Sequence, residues 1–458
     1  MAHTFSFAAL IRSALPYVAL IGAALGLSWL VSTSAAVAEV FHTAPEGLYL
    51  TIGILFFLGF VLDTVAPRTA IPSFVWAIFF GMALQPIFSI FTQHPTVLAF
   101  LVQLLAAIVL FGGGVEVPFR NFKRYFGPIA SLALLGTLLT AFGFAVGLEH
   151  LARLFDVAIP AVTIVILAAI LASIDPTAII PALQSLSFKR PFIRDIAIAE
   201  SALNDVAGSI LTRFFIVSLL AGAAQYTASY QPFGLVFDRD TADTLALEIV
   251  WGTLVGIAAA WFLDMWQRQL AARGRSVTLD PALFFAVPII AFAAGSLIGG
   301  SGFLSAFVAG LLFDAAHPSK EARHFFEVFV DKFIKPVIFI LLGALVPLPT
   351  LIAVAPLGIA AGLFFVFVVR PLVVFFTLAP WSWTRKAIFS WRELTFLSFV
   401  RETGAIPAVL LLVALASGIP EANIMFAIGM WVILLTLTLE PPLTPWLART
   451  LNLTRIQQ

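Results

Sequence analysis

The sequence predicts an all-α polytopic membrane protein, with thirteen transmembrane helices after an additional hydrophobic segment at the amino terminus. Three observations support this fold class. Of the 458 residues, 61% are hydrophobic and only 11% are charged, against about 25% charged in a soluble domain. Apolar windows of about 20 residues, the length that spans a bilayer, recur along the whole chain. Cationic residues are concentrated in alternate loops, as the positive-inside rule requires.

Residues 1–40 make up the additional hydrophobic segment, whose apolar part covers about 14–34. It ends in Ser34–Ala38, which resembles the A-x-A cleavage site of a signal peptide. The positive region before it is thin, since Arg12 is the only cationic side chain there. We therefore expect either an extra helix or a cleaved signal peptide, and we prefer the retained helix.

Residues 41–450 are predicted to form a single membrane domain, followed by a short cytoplasmic tail at 451–458. A first repeat of six helices covers about 47–221, a linking helix about 244–264, and a second repeat of six about 281–446. The segments of the repeats lie at about 47–64, 71–91, 97–116, 127–148, 158–184 and 196–221, and then at 281–298, 301–313, 333–347, 351–378, 394–417 and 421–446. Because one helix lies between the repeats, the second repeat is inverted relative to the first.

The distribution of positive charge gives the orientation. With a cytoplasmic amino terminus, twenty of the 25 Lys and Arg residues fall on the inner side, and only Arg153 and Arg239 fall outside. Arg213, Arg370 and Arg401 remain inside predicted spans. The chain is therefore expected to cross the cell membrane many times and to end in the cytoplasm.

Composition also excludes several classes of function. A net charge of +1 gives no reason to expect a nucleic-acid partner. The chain has no cysteine, so disulfides, thiolate metal sites and cysteine nucleophiles are excluded. None of the histidines has the helical spacing of a zinc site, so we expect no cofactor. The apolar composition predicts the lipid bilayer as the surrounding partner.

Two predicted spans contain features that an uninterrupted membrane helix avoids. One carries Asp175 and Pro176, and the other carries charge, glycine and proline together in the stretch from Arg401 to Pro407. Each is the fifth helix of its six-helix repeat. Interrupted helices at matching positions of two inverted repeats indicate the substrate site of a transporter, where the two breaks cross.

The span after the first break carries a carboxylate, Asp205, at membrane depth. Such a residue is costly to insert and is functional by default. Ser201 lies four residues before Asp205 and shares its helical face, whereas Glu200 and Asn204 stack on another face. We expect Asp205 and Ser201 to face an ion cavity, and Glu200 to pair with Arg401 as a structural ion pair.

These residues predict a site for a small monovalent cation. Burial in a low-dielectric cavity favours the protonated form of an isolated carboxylate, and a hard cation such as Na⁺ or Li⁺ prefers oxygen ligands. One carboxylate then binds a proton or a cation but not both. The candidate ion-binding residues are Asp205, Asp175, Ser201, Asn204, Ser173 and Ile174, with Na⁺ at Asp205 and Asp175.

The Asp175-Pro176 pair followed by the run from Glu200 to Asp205, which reads Glu-Ser-Ala-Leu-Asn-Asp, resembles the cation:proton antiporter-1 family of bacterial, archaeal and animal sodium/proton exchangers. This resemblance implies a homodimer in which a core domain moves against a dimerisation domain. It implies that Asp205 is the transport carboxylate, and that an Asn at 204 goes with electroneutral exchange of one cation for one proton. It also implies that Glu200 pairs with an arginine of the second interrupted helix.

The chain departs from the family pattern at two places. Ile174 stands where the family often has threonine, although its backbone carbonyl can still serve as a ligand. The usual Arg-Gly at the second break is separated here by Glu402 and Thr403. Glu402 is therefore an additional acid, which either pairs with Arg401 or titrates itself, and Arg213 is then an alternative partner for Glu200.

Three other functions compete with Na⁺(Li⁺)/H⁺ exchange. K⁺/H⁺ exchange is possible on the same fold. A cation channel is a weaker alternative, because no repeated filter-like element or charged pore ring is visible and the inverted interrupted helices suit alternating access. An intramembrane hydrolase with Asp175 and Asp205 as its dyad leaves the second interrupted helix unexplained, so we do not expect an enzyme.

Overall fold

The computed structural model describes residues 7–34, 37–39, 45–65, 72–88, 91, 95–173, 183, 186–220, 226–272, 281–316, 324, 328–383, 388–400 and 403–455. These residues are almost entirely helical, and the described part contains no β-strand longer than an isolated bridge between Phe188 and Thr454. The predicted all-α membrane fold is confirmed.

In the first half of the chain, eight α-helices have bounds that the structure describes. They are α1 (Phe7–Thr33), α2 (Pro45–Val65), α3 (Ser73–Ala83), α4 (Pro95–Glu116), α5 (Phe119–Arg124), α6 (Phe126–Leu154), α7 (Ala161–Ala172) and α8 (Phe192–Leu220). Within α6, the residues Ser131–Leu135 form a π-helical turn.

The described residues of the second half form nine further α-helices. They are α9 (Arg239–Ala272), α10 (Pro281–Leu297), α11 (Gly302–Ala316), α12 (Lys335–Ala344), α13 (Leu348–Ala353), α14 (Ala355–Ser382), α15 (Trp391–Phe399), α16 (Ala405–Ala416) and α17 (Ala422–Thr450). Every predicted span overlaps at least one helix. The thirteen-span count and the two inverted repeats stay predictions.

Six of the described helices are long and apolar enough to cross a membrane by themselves: α4, α6, α8, α9, α14 and α17. Shorter apolar helices include α3, α7, α11 and α16. The extra amino-terminal segment forms α1, which packs against α3. Its predicted alternative, a cleaved signal peptide, concerns processing and stays a prediction.

Both predicted interruptions coincide with helix ends. Within the predicted span at 158–184, α7 ends at Ala172, and residues 174–182 lie outside the described part of the chain. The predicted span at 394–417 divides into α15, which ends at Phe399, and α16, which begins at Ala405. The interrupted helices α7 and α16 pack on each other, and both pack on α8, which carries Asp205.

Close helix crossings at glycine hold the surrounding helices together. At the crossing of α4 and α11, a Cβ atom on Gly310 would collide with the backbone carbonyl of Phe111, and one on Gly114 would collide with that of Phe307. Small residues let helix backbones approach closely where lipid provides no hydrophobic driving force between helices. The same arrangement recurs between α3 and α12.

The loops on one side are joined by polar contacts. Arg190, just before α8, donates two hydrogen bonds of 3.1 and 3.0 Å to Glu393, whose side chain also forms the capping box of α15. The carboxyl-terminal residues are fixed nearby, since Lys189 and Arg455 donate backbone hydrogen bonds of 2.8 Å across the bridge. The described part of the predicted tail therefore packs against the connection between the first interruption and α8.

We expect the substitution Gly310→Ala to lower the melting temperature of the detergent-solubilised protein by several degrees. The added methyl group forces the backbones of α4 and α11 apart, and overpacking of this kind costs about 1–3 kcal/mol. Gly53→Ala is the matched control, because a Cβ atom there has no neighbour within 4 Å. Equal melting temperatures for the two variants would contradict the importance of the crossing.

Candidate ion-binding site

Two consecutive turns of α8 carry four polar side chains that are buried within the protein. The exposed fraction is 4% for Asp205, 1% for Ser201, and 0% for both Glu200 and Asn204. Burial of a charge or an amide is tolerated only when other protein groups compensate it. The surroundings of these side chains therefore define the candidate site.

Asp205 is held by the end of the first interrupted helix. Ser173 follows Ala172 and caps α7 with an extended backbone, at φ −72° and ψ 134°. Its hydroxyl donates a hydrogen bond of 2.6 Å to Oδ1 of Asp205. A short bond of this kind to a carboxylate is charge-assisted and stronger than a bond between neutral groups. The structure thus brings together two of the predicted ion-binding residues.

A glycine makes this contact possible. A Cβ atom on Gly208 would lie 2.6 Å from Cβ of Ser173 and 3.0 Å from its Cα atom. Any larger residue at 208 would push the end of α7 away from α8. Sequence reasoning missed Gly208, although a glycine three residues after a buried carboxylate is a signal of close approach.

Asn204 bonds to a different helix from the one that contacts Asp205. The Asn204 amide donates a hydrogen bond of 2.8 Å to Oγ1 of Thr137 on α6. Thr137 in turn donates to the carbonyl of Ala133, inside the π-helical turn. Asn204 therefore fixes α8 to α6. It was predicted as an ion ligand, and this structural contact was not predicted.

Four of the predicted site residues lie outside the described part of the chain: Ile174, Asp175, Arg401 and Glu402. The pairing of Glu200 with Arg401, and the contribution of Asp175 to the ion site, stay predictions. Arg213, considered as an alternative partner for Glu200, instead pairs with Glu248 of α9, with 3.4 Å between Nη1 and Oε1.

The second interruption is stabilised by two threonines. The backbone N–H of Thr403 donates to Oγ1 of Thr436 on α17 at 3.2 Å, and the Thr436 hydroxyl is 2.9 Å from that of Thr403. A backbone amide released inside a membrane needs such a partner, because lipid provides none. The sequence offered no signal for Thr436, which looks like one polar residue in an apolar helix.

A buried arginine lies on the neighbouring helix α14. Arg370 is 2% exposed, and its Nη1 atom donates to Oγ1 of Thr140 at 3.2 Å. The buried carboxylate of Glu440 on α17 provides the compensating negative charge. Sequence reasoning missed Glu440, although an acid followed by two prolines in an apolar span has the same features as the first interruption.

The described geometry can hold a small cation. Carboxylate and hydroxyl oxygens from Asp205, Ser173 and Ser201 lie in a buried region where two interrupted helices meet. Oxygen ligands suit hard cations, and a carboxylate that binds a cation must release its proton. The site has the composition of an exchange site for a monovalent cation and a proton.

Comparison with known proteins finds a matching family model and several related antiporters. The family model described as "Sodium/hydrogen exchanger, transmembrane" matches residues 48–450. The K(+)/H(+) antiporter NhaP of Alkalimonas amylolytica is 27% identical over 415 residues, which cover 87% of this chain and 66% of that protein. The K(+)/H(+) antiporter NhaP2 of Shewanella sp. (strain MR-4) is 26% identical over 405 residues, 86% of this chain and 65% of that protein. The chain thus spans slightly less than two thirds of the length of these two relatives.

Two archaeal proteins complete the comparison. The Probable Na(+)/H(+) antiporter 2 of Methanocaldococcus jannaschii is 25% identical over 373 residues, with coverage of 78% of this chain and 82% of that protein. The structure of the sodium proton antiporter MjNhaP1 from the same organism at pH 8 matches with a TM-score of 0.66 and 20% identity. It covers 88% of this chain and 99% of its own, so the two share a fold. Because the family model covers most of the chain, this protein belongs to the transmembrane sodium/hydrogen exchanger family.

Proposed function

We propose that this protein is a secondary-active antiporter that exchanges a monovalent cation, Na⁺ or Li⁺, for a proton by alternating access. The observation that carries the proposal is the hydrogen bond between Ser173, at the end of an interrupted helix, and the buried carboxylate of Asp205 on α8. Interrupted helices at a buried acid are the arrangement that transporters use to bind ions at membrane depth.

Competition for one carboxylate explains the coupling. The Asp205 carboxylate is 4% exposed and carries one negative charge, so one proton or one monovalent cation neutralises it. A buried charge without compensation is costly, which makes the empty, ionised form a poor state in which to move between the two sides. Exchange then follows from alternating access without a separate coupling device.

Exchange of one cation for one proton is the expected stoichiometry. The residue before Asp205 is Asn204, a neutral amide that is already bound to Thr137 at 2.8 Å. Asn204 therefore adds no second titrating charge beside Asp205. Transport should be electroneutral, and its rate should not depend on the membrane potential.

K⁺ is the alternative cation, and the names of two relatives favour it. Both the Alkalimonas and the Shewanella proteins are named K(+)/H(+) antiporters. The choice between Na⁺ and K⁺ depends on the size of the oxygen cage around Asp205. The transport assay below therefore includes all three cations.

We further propose that the protein works as a homodimer in the cell membrane, with a cytoplasmic carboxyl terminus and a core domain that moves against a dimerisation domain. The cationic residues of the alternate loops support this orientation. Helix α9, whose apolar face is largely exposed, offers surface for lipid or for a second copy.

We expect Asp205→Asn to abolish cation-driven proton movement in proteoliposomes that contain a pH-sensitive dye. Addition of Na⁺, Li⁺ or K⁺ outside should change the internal pH for the native protein, because cation entry displaces protons. The variant keeps the size of the side chain but cannot exchange a proton for a cation. The assay should give equal rates with the membrane potential clamped at zero or left free.

Undiminished proton movement in Asp205→Asn would refute the role of this carboxylate. A rate that depends on the membrane potential would refute the one-for-one stoichiometry. The cation that drives the largest pH change at the lowest concentration decides between Na⁺, Li⁺ and K⁺.

We expect Ser173→Ala to raise the apparent KM for the cation about three- to tenfold, with a larger effect at acidic pH. Loss of a hydrogen bond to a charged group costs about 1.5–3 kcal/mol, part of which solvent recovers. Without its donor the ionised carboxylate is less stable, so protons compete better. Ser305→Ala, which removes another buried hydroxyl, on α11, is the control and should leave the KM unchanged. An apparent KM that stays at the native value in both variants would contradict a role of this contact in cation binding.

A further inference from the structure

A cavity with both polar and apolar walls lies beyond Asp205, on the side where α8 ends. Its volume is about 340 Å³, and its walls come from α4, α8, α10, α11 and α16. Its polar lining residues are Gln103, Ser209, Thr212, Arg213, Ser296 and Ser417. A water molecule in the liquid occupies about 30 Å³, so the cavity has room for a cation with several water molecules.

The cavity ends close to Asp205. Ser209 lines it and lies one turn after Asp205 on the same face of α8, which corresponds to about 6 Å along the helix axis. Ser209 itself is fully buried, and Asp205 is 4% exposed. One helical turn of packed side chains therefore separates the cavity from the carboxylate.

One hydroxyl in this cavity has an unused oxygen. Thr212 is 1% exposed, and its Oγ1 atom has no hydrogen-bond partner among the residues that the structure describes. Threonines in other helices of the protein, such as Thr253 on α9 and Thr377 on α14, donate a hydrogen bond to the carbonyl four residues earlier. A buried hydroxyl without a partner costs about 1–3 kcal/mol, so this oxygen points to a ligand, either water or a hydrated cation.

Arg213 is the one charged side chain among the cavity's lining residues, and Glu248 compensates it. Arg213 has 51% of its side chain exposed, and its guanidinium lies 3.4 Å from the Glu248 carboxylate. Glu248 belongs to α9, which packs on α10 and α11 and thereby on two of the cavity walls. An uncompensated arginine at this place would repel a cation on its way to Asp205.

We propose that this cavity is the entry chamber for a hydrated cation from one side of the membrane, with the oxygens of Ser209 and Thr212 as a transient binding site. In this proposal Glu248 is a positioning residue, which holds and neutralises Arg213 so that the cation can pass. The inference rests on the proposed exchange function and extends it to the route of access.

Transport from each side separately tests this inference. Proteoliposomes sorted by the orientation of the protein receive Na⁺ on the cavity side only or on the opposite side only. We expect Glu248→Gln to raise the apparent KM for Na⁺ about three- to tenfold from the cavity side and to leave the maximal rate and the opposite-side KM unchanged. The increase should shrink at high ionic strength, where Debye screening weakens the repulsion.

Two further variants separate charge from structure. The double variant Arg213→Gln/Glu248→Gln should recover the native KM, because no unbalanced charge remains. Thr212→Val, which keeps the shape of the side chain, should raise the cavity-side KM at every ionic strength. Asp264→Asn is the control, since it removes a comparable pair with Arg268, of 2.8 Å, elsewhere on α9.

The possible failures are distinguishable. Native protein that exchanges no cation for protons would refute the proposed function, and this inference with it. The proposal of an entry chamber alone would be overturned if exchange were normal and the cavity-side KM were the same in Glu248→Gln, Thr212→Val and the control. An equal rise of the KM from both sides would also overturn it, because that result indicates a structural effect.

Discussion

A helix that ends inside a membrane exposes polar backbone groups where lipid cannot bind them, and the protein must provide their partners. The hydrogen bond between Ser173 and Asp205 is the contact on which the rest of the site depends. It joins the end of α7 to the buried carboxylate on α8. At the second interruption, Thr436 accepts a hydrogen bond from the backbone N–H of Thr403. The first contact requires that α7 packs on α8, and the second that the segment before α16 packs on α17.

Close packing of this kind is set by small residues. Gly208 allows the end of α7 to reach α8, and the glycines at the crossing of α4 and α11 allow two backbones to touch. Packed interfaces change between discrete arrangements instead of deforming continuously. The glycine crossings therefore fix how closely the helices that surround the site approach one another.

Sequence reasoning recovered the parts of the molecule that depend on local chemistry. Periodic apolar windows predicted the helices, because the bilayer imposes one length on every span. A carboxylate in an apolar span predicted a functional role for Asp205, because its insertion is costly, and its role in ion binding stays a prediction. Helical spacing correctly separated Asn204 from Asp205, since those two side chains bond to different helices.

Contacts between distant parts of the chain could not be predicted in the same way. Arg213 was considered as a partner for Glu200 on α8, yet it pairs with Glu248, which is distant in sequence and adjacent only after folding. Glu440 stands before two prolines, which is a local signal, but its charge partner Arg370 is distant in sequence and adjacent only after folding. The break after α7 was predicted from Asp175 and Pro176, whereas the close approach of Ser173 to Gly208 of α8 was not.

The bridge between Phe188 and Thr454 has a practical consequence for imaging. A fused marker helps to align a membrane protein in electron micrographs only when its linkage is stiff. Here the backbone around Lys189 is hydrogen-bonded to Leu453 at 2.8 Å, and that of Arg455 is bonded to Ser187 at the same distance. A helical fusion joined at Arg455 would start from a fixed point beside the connection to α8. It would then indicate the orientation of α8 in each particle image.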